Sequence, residues 1–428
     1  MKTYRLYIAL FTLATLFSCS SDDNDEGDNI VKAPTTIEEF NLLTVANNTF
    51  DVALLPTLTW QNAVTSDGSE VNYTLYLDTN TDPSTAIASN ISSNTVRISD
   101  KLKLYTDYHW RVEASSGSVT KVSSTFGFTT RNLNTDNPAL TTNAAFPEKR
   151  GHTSLFFDDK FWIIAGISNS NRTNDIWNST DGVNWTLVNA NADFSARALH
   201  TSLVFDGKMW VIGGSALDSN NDSLLKNDIW YSADGINWVE ASDKARFDGR
   251  FSHTSVVFDN KMWVIGGFSS SNTYMNDVWS SYDGIDWNSI SMNADFSARN
   301  SHEAFVLDDK MYIVGGSDGD RLNDVWSTTN GSNWTEEIET APFTPRISHK
   351  STFFDNKIWL VGGIDANGTY LNDVWYTSNG QNWIQSTDNA SYTGRIGHTA
   401  VANENGILII AGTVGAITNP QNDVWVLD

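Results

Sequence analysis

The chain has 428 residues, a formal net charge of −24 and one cysteine. A charge that negative excludes nucleic acid and anionic membrane faces as partners, because both would be repelled. A single cysteine excludes a disulfide framework.

Residues 1–18 read as a processing signal rather than structure. Lys2 and Arg5 flank the start of an apolar stretch, Leu6 to Phe17, that is too short to span a bilayer, and Leu16-Phe-Ser-Cys19 follows. This resembles a bacterial lipobox, which implies that Cys19 becomes the acylated first residue of the mature protein. With about 0.8 kcal/mol per buried methylene, two or three acyl chains make such an anchor effectively permanent. Residues 19–32 form an acidic tether, with Ser20-Ser-Asp-Asp-Asn-Asp-Glu-Gly-Asp28 at its centre, and have too little apolar surface to pack. Serine rather than aspartate after Cys19 resembles the pattern of outer-membrane lipoproteins, and the acidic run is similar to the surface-export signal of Bacteroidetes lipoproteins. The expected location is the exterior of the outer membrane, with the lipid as the only membrane contact.

Residues 33–131 lack the repeat found further on and read as a separate β domain. Strand-like runs such as Thr57-Leu-Thr-Trp60, Tyr73-Thr-Leu-Tyr-Leu77 and Tyr108-His-Trp-Arg-Val112 alternate with turn clusters such as Ser66-Asp-Gly-Ser69. Trp60 on an early strand, and Leu104-Tyr-Thr-Asp-Tyr-His-Trp110 before the last strands, are similar to an immunoglobulin/fibronectin III-like β-sandwich. Such a domain implies a spacer. Asp78-Thr-Asn80-Thr-Asp82 has the spacing of a Ca²⁺ loop, but no glycine at its sixth place, and reads as a hairpin turn. Residues 132–137 are a linker.

From 138 to 428 one pattern recurs six times. Each copy opens on a basic residue three places before a histidine: Lys149 and His152, Arg197 and His200, Arg250 and His253, Arg299 and His302, Arg346 and His349, Arg395 and His398. An apolar run leads to a small pair such as Gly213-Gly214, and the copy closes on Asn-Asp-Ile/Val-Trp, as at Trp230 and Trp279. Six of the seven histidines belong to these copies. A period near fifty residues, built of short apolar runs with turns between them, predicts a β-propeller. In the second copy, strands are predicted over His200 to Phe205, Lys208 to Ile212, Asp228 to Ser232 and Trp238 to Glu240. The diglycine, followed by an aromatic and a spaced tryptophan, resembles Kelch repeats, without the usual tyrosine before that tryptophan. The turn Ser179-Thr-Asp-Gly-Val-Asn-Trp185 is also similar to a sialidase Asp-box. The fold expected is all-β: a six-bladed Kelch-like propeller preceded by the sandwich. The sixth copy stops at Val424-Trp-Val-Leu-Asp428, so Pro138 to Thr141 is expected to supply its outer strand.

In an antiparallel meander the repeat arginines and the aspartates of Asn-Asp-x-Trp share one end of the ring. Two roles stay open for the arginines. They tie each blade together as guanidinium–carboxylate forks, or they face the funnel and bind carboxylates or sulfates. Irregular segments on the same face add Arg172, Asp218 to Asp222, Tyr274, Asp318, Asp320, Arg321, Asp365 and Tyr370, and Tyr392 comes from a loop between blades. Glu303 and Lys350 stand where the other four copies have threonine after histidine. The candidate ligand-contacting residues are thus Arg172, Arg197, Arg250, Tyr274, Arg299, Arg321, Arg346, Tyr370, Tyr392 and Arg395. The histidines read as structural residues bonded to backbone, because equivalent positions on six blades sit too far apart for one metal. No metal or other cofactor is expected, and no catalytic residue is assigned. The function expected is a surface lipoprotein holding a glycan, neutral or acidic, or a protein on its propeller face. The alternative is a carbohydrate-active enzyme: a sialic-acid mutarotase or epimerase of the Kelch type, or a uronate lyase.

Overall fold

The computed structural model describes residues 33–220 and 222–428, and every element in it is β. Cys19 and the acidic tether lie outside the described residues.

Residues 33–131 form two sheets. One orders Leu42–Thr44, Thr57–Trp60 and Thr95–Arg97; the other orders Thr49–Val52, Phe126–Thr130, Asp107–Ser116, Asn72–Asp78 and Ala86–Ile91. Strict alternation explains why they pack: Tyr73, Leu75 and Leu77 of one strand, and Trp110, Val112 and Ala114 of its neighbour, all point inward. Trp60 and Trp110 are completely buried in this shared core. The Asp78 carboxylate accepts backbone N–H bonds from Asn80, Ser84 and Thr85, the arrangement of a capped turn.

Each repeat forms an antiparallel meander. In the second, Thr201–Phe205, Lys208–Leu217, Ser223–Ser232 and Val239–Ser242 pair in order. The middle two strands run beyond the predicted Ile212 and begin before Asp228. The diglycine bends the ladder without ending it, as the register shift between Ile212 and Gly214 shows. Both glycines have positive φ, 59° and 96°. A Cβ on Gly214 would lie 2.6 Å from Cβ of His200, and one on Gly213 would lie 3.2 Å from Cε1 of His253 in the next repeat. The pair is small because two histidines lean on it. The fifth repeat divides into two ladders, with Arg346–Ile347 and Ile364–Asp365 separate from the main sheet.

The first long strands of successive repeats touch in sequence: Thr153–Phe157, Thr201–Phe205, Thr254–Phe258, Glu303–Leu307, Lys350–Phe354 and Thr399–Asn403, the last returning to the first. The circuit also closes at its outer edge. Leu140 N–H donates to Val424 O at 2.8 Å, and Val424 N–H donates to Thr141 O at 2.8 Å. Between the sheets, aromatic side chains fill the wedge. Trp162 lies where a Cβ on Gly235 of the next repeat would come within 2.3 Å, so only glycine fits that turn.

The N-terminal region docks on the turn of the fifth repeat. The Asp355 carboxylate accepts Leu104 N–H at 2.5 Å, Lys357 Nζ donates to Leu104 O at 2.6 Å, and Tyr105 meets Tyr376 edge-on. Leu54, Leu104 and Leu133 share an apolar cluster with Phe354, Trp359 and Leu427. This turn lies at the end of the first strands opposite the histidines.

Candidate functional site

Five repeat arginines and their aspartates form forks. Arg250 donates to both Asp277 oxygens at 2.8 Å, and Arg197–Asp228, Arg299–Asp324, Arg346–Asp373 and Arg395–Asp423 repeat the pattern. The same guanidinium donates to the carbonyl of the first small residue, Gly266 O at 2.8 Å for Arg250, and lies over the ring of Phe247. Trp279 Nε1–H donates to Asp277, which completes the carboxylate's shell. In the first repeat Lys149 Nζ reaches Asp175 at 2.6 Å. Every one of these cations is 0% exposed. Their burial corrects the ligand-facing expectation for Arg197, Arg250, Arg299, Arg346 and Arg395: each already spends its donors inside its own repeat. Tyr392 is corrected with them. It is fully buried and lies under Arg395, in the place held by Phe194, Phe247, Phe296 and Phe343 elsewhere. Breaking one fork strands a buried charge, so Asp277→Ala should lose about 3–5 kcal/mol. Denaturant unfolding of Asp277→Ala beside an Arg250→Met/Asp277→Leu double variant checks this. The double variant should be the more stable of the two.

At the histidine end the first strands surround a cavity of about 250 Å³. Its mouth is a collar of residues in left-handed backbone: Gly151, Leu199, Ser252, Ser301, Ser348 and Gly397. Five of its six successive pairs are joined by N–H to O bonds, Leu199 to Gly151 at 2.9 Å and Ser301 to Ser252 at 2.8 Å among them. Below the collar the histidines are buried, and three of them meet a hydroxyl on the preceding repeat where a backbone partner was expected. Thr153 meets His200 Nε2 at 2.9 Å, Thr201 meets His253 at 2.9 Å, and Thr399 meets His152 at 3.1 Å. The three seams after Thr254, Glu303 and Lys350 lack this bond, and Nε2 of His302, His349 and His398 has no partner. On that side Lys350 Nζ donates to Glu303 at 2.6 Å. The two departures from threonine thus form one ion pair across a seam, and they make half of the cavity wall chemically distinct. Burial holds all six imidazoles well below their usual pKa, with the neighbouring basic residues adding to the shift.

Above the collar each repeat presents a row of three cross-strand neighbours. The rows are Arg150, Ile167 and Arg172 in the first repeat, Phe251, Phe268 and Tyr274 in the third, Asn300, Ser317 and Arg321 in the fourth. In-register residues project from one side of a sheet. Phe251 and Tyr274 both pack on Phe268, with centroids 5.6 and 5.1 Å away, and all three rings keep part of their surface exposed.

A profile described as the KLHDC2/KLHL20/DRC7 Kelch-repeats domain matches residues 179–340 and again 252–428, together more than half of the chain. The chain belongs to the Kelch-repeat family. Among solved structures this Kelch protein is similar to YjhT, with a TM-score of 0.55 and 18% identity, over 66% of this chain and 95% of that one. That likeness speaks for the fold. No curated protein matches the chain by sequence.

Four candidates on this Kelch face keep exposed surface. Arg172 donates to Ser215 Oγ at 2.7 Å, Arg321 Nε donates to Asp365 O at 2.8 Å, and Tyr274 and Tyr370 sit at the matching places of their repeats. They belong to different rows and do not converge on one point. Sequence reasoning missed Arg150, Phe251 and Phe268. Their signal was available: the residue before each collar position runs Arg150, Ala198, Phe251, Asn300, Ile347 and Ile396, a variable place inside a regular motif. Among the described residues no group of three or more His, Cys, Asp or Glu gathers as a metal site, and no helix is long and apolar enough to cross a membrane.

Proposed function

We propose that this Kelch protein is a six-bladed propeller, residues 138–428, that binds a glycan on its collar face. An immunoglobulin/fibronectin III-like sandwich, residues 33–131, carries it through the linker 132–137. Lipid on Cys19 and the tether 19–32 hold the whole on the exterior of the outer membrane after residues 1–18 are removed. The circuit of first strands and the bonds between Leu140, Thr141 and Val424 support the closed ring. Docking of the N-terminal region on the Asp355 turn supports the orientation: the tethered domain sits at one end, and the collar face is at the other.

The observation that carries glycan binding is the aromatic row of the third repeat. Sugar rings present C–H faces that stack on aromatic surfaces, and partly exposed aromatics at the edge of a polar face are typical anchors. No other rim row holds three rings. With a bound oligosaccharide identified on a glycan array, Tyr274→Ala should weaken binding by about tenfold, the equivalent of about 1.4 kcal/mol. Binding that is indifferent to Tyr274 and Phe268 would remove the reading.

A second reading attaches to the Glu303–Lys350 pair. A carboxylate beside an ammonium in a sheltered cavity is the equipment of proton transfer, as a mutarotase, epimerase or lyase requires. Exchange of sugar anomers, or new ultraviolet absorption from unsaturated products, would favour it.

A further inference from the structure

The rim row of the first repeat holds two cations that no described acidic group neutralises. Arg150 and Arg172 are both cross-strand partners of Ile167, which places them on one side of the sheet. Both are partly buried. Burial lowers the pKa of each guanidinium, and the Arg150 charge lowers that of Arg172 further. No described carboxylate lies within ion-pair distance of either, in a chain that carries 51 acidic residues. Arg172 gives one amino group to Ser215, while its Nε–H is buried with no acceptor. The Ser215 and Ser223 hydroxyls, 2.8 Å apart, both lie within reach of that amino group. Matching places in the other repeats hold no second pair of cations, so the pair does not maintain the repeat. Like charges set on one side of a sheet and partly buried repel, and an anion between them turns that repulsion into attraction.

We infer that the rim where the first two sheets meet is an oxyanion subsite, and that the face ligand is an acidic saccharide whose carboxylate or sulfate lies between Arg150 and Arg172. This rests on the glycan-binding reading and narrows it. Guanidinium forks match both oxyanions, so the shared chemistry is a planar or tetrahedral anion on a sugar.

The experiment is calorimetric titration of the full chain, at fixed ionic strength, with three oligosaccharides of equal length: an oligohexuronate, a sulfated one and a neutral one. At least one acidic ligand should bind, and Arg150→Gln/Arg172→Gln should weaken it by about 10- to 100-fold. The same variant should leave the neutral ligand unchanged, while Tyr274→Ala weakens every ligand that binds. Arg172→Lys, which keeps the charge, should retain part of the loss-sensitive affinity. Which acidic ligand wins separates carboxylate from sulfate. Equal binding of neutral and acidic ligands, with no effect of the double variant, overturns the subsite while the Tyr274 effect upholds glycan binding. If no saccharide binds, a melting-point rise with inorganic sulfate that the double variant abolishes still upholds the subsite, and a flat response overturns it. Unaltered melting of the variants without ligand shows that they are folded.

Discussion

Deleting Ala139 to Thr142 should abolish the single cooperative unfolding transition of the repeat region. Leu140 and Thr141 are the outer strand on Val424, and Leu140 packs against the cluster that holds Leu408 and Val424. The segment that follows is held by the same last repeat: Asn422 Nδ2 donates to Ala144 O at 3.0 Å and to Phe146 O at 3.4 Å. Removing four residues takes away the apolar burial of Leu140 and several backbone bonds, together about 5 kcal/mol. That approaches the whole stability of an ordinary domain, about 5–15 kcal/mol. The effect reaches beyond these contacts, because an open ring exposes two sheet faces that the closed one buries. Calorimetry should show a melting point lowered by more than about 5 °C and a broadened or split transition. A deletion protein that melts like the parent would show that the outer edge does not hold the ring.

Mild acid should destabilise the protein steeply, through the ring of histidines. The folded imidazoles of His152, His200 and His302 are held to a pKa of about 3, and those of His253, His349 and His398 lie well below the usual 6.5. Burial is the main cause, and the cations Lys149, Arg197 and Arg299 next to them add to it. An unfolded chain takes up a proton at each imidazole near pH 6.5, whereas the folded ring stays neutral. Below pH 6.5 the unfolded state therefore binds more protons, so stability that is complete above this pH is lost as pH falls. Each histidine contributes about 1.4 kcal/mol per pH unit once fully engaged, and six act in the same direction. Carboxylates protonate in number only below about pH 5, so relief of acidic repulsion does not mask the effect between pH 6.5 and 5.5. Urea midpoints across pH 7.5 to 5.5 measure the proton uptake on unfolding, and the midpoint should drop throughout the lower half of that range. A midpoint that stays level would mean that the imidazoles are not sealed from water.

Much of the repeat region is legible in the residues because one local chemistry recurs. The basic residue, the histidine, the small pair and Asn-Asp-x-Trp each do one job. The asparagine ties the loop to the next repeat, as Asn227 does with Ala245 O and Phe247 O, the aspartate takes the arginine, and the tryptophan caps the aspartate. The fork was one of two roles open for the arginines, and only burial chose between them. Tyr392 misled because its hydroxyl suggested a contact, although its place three residues before Arg395 is that of Phe194 before Arg197. Glu303 and Lys350 stood out as departures, but their meeting across a seam needed the ring, since they lie 47 residues apart.

The sequence by itself determined an all-β Kelch chain, the length of its repeat and the residues that maintain each copy. Those are local properties, set by period, turn chemistry and a motif that repeats within one sheet. Only the tertiary structure decided which charges remain unneutralised. Arg150 and Arg172 stand at variable places, but nothing along the chain says that they lack a carboxylate, and the repeat arginines find theirs across two strands. Pairing of that kind depends on register and on which faces the ring buries, neither of which a single repeat encodes.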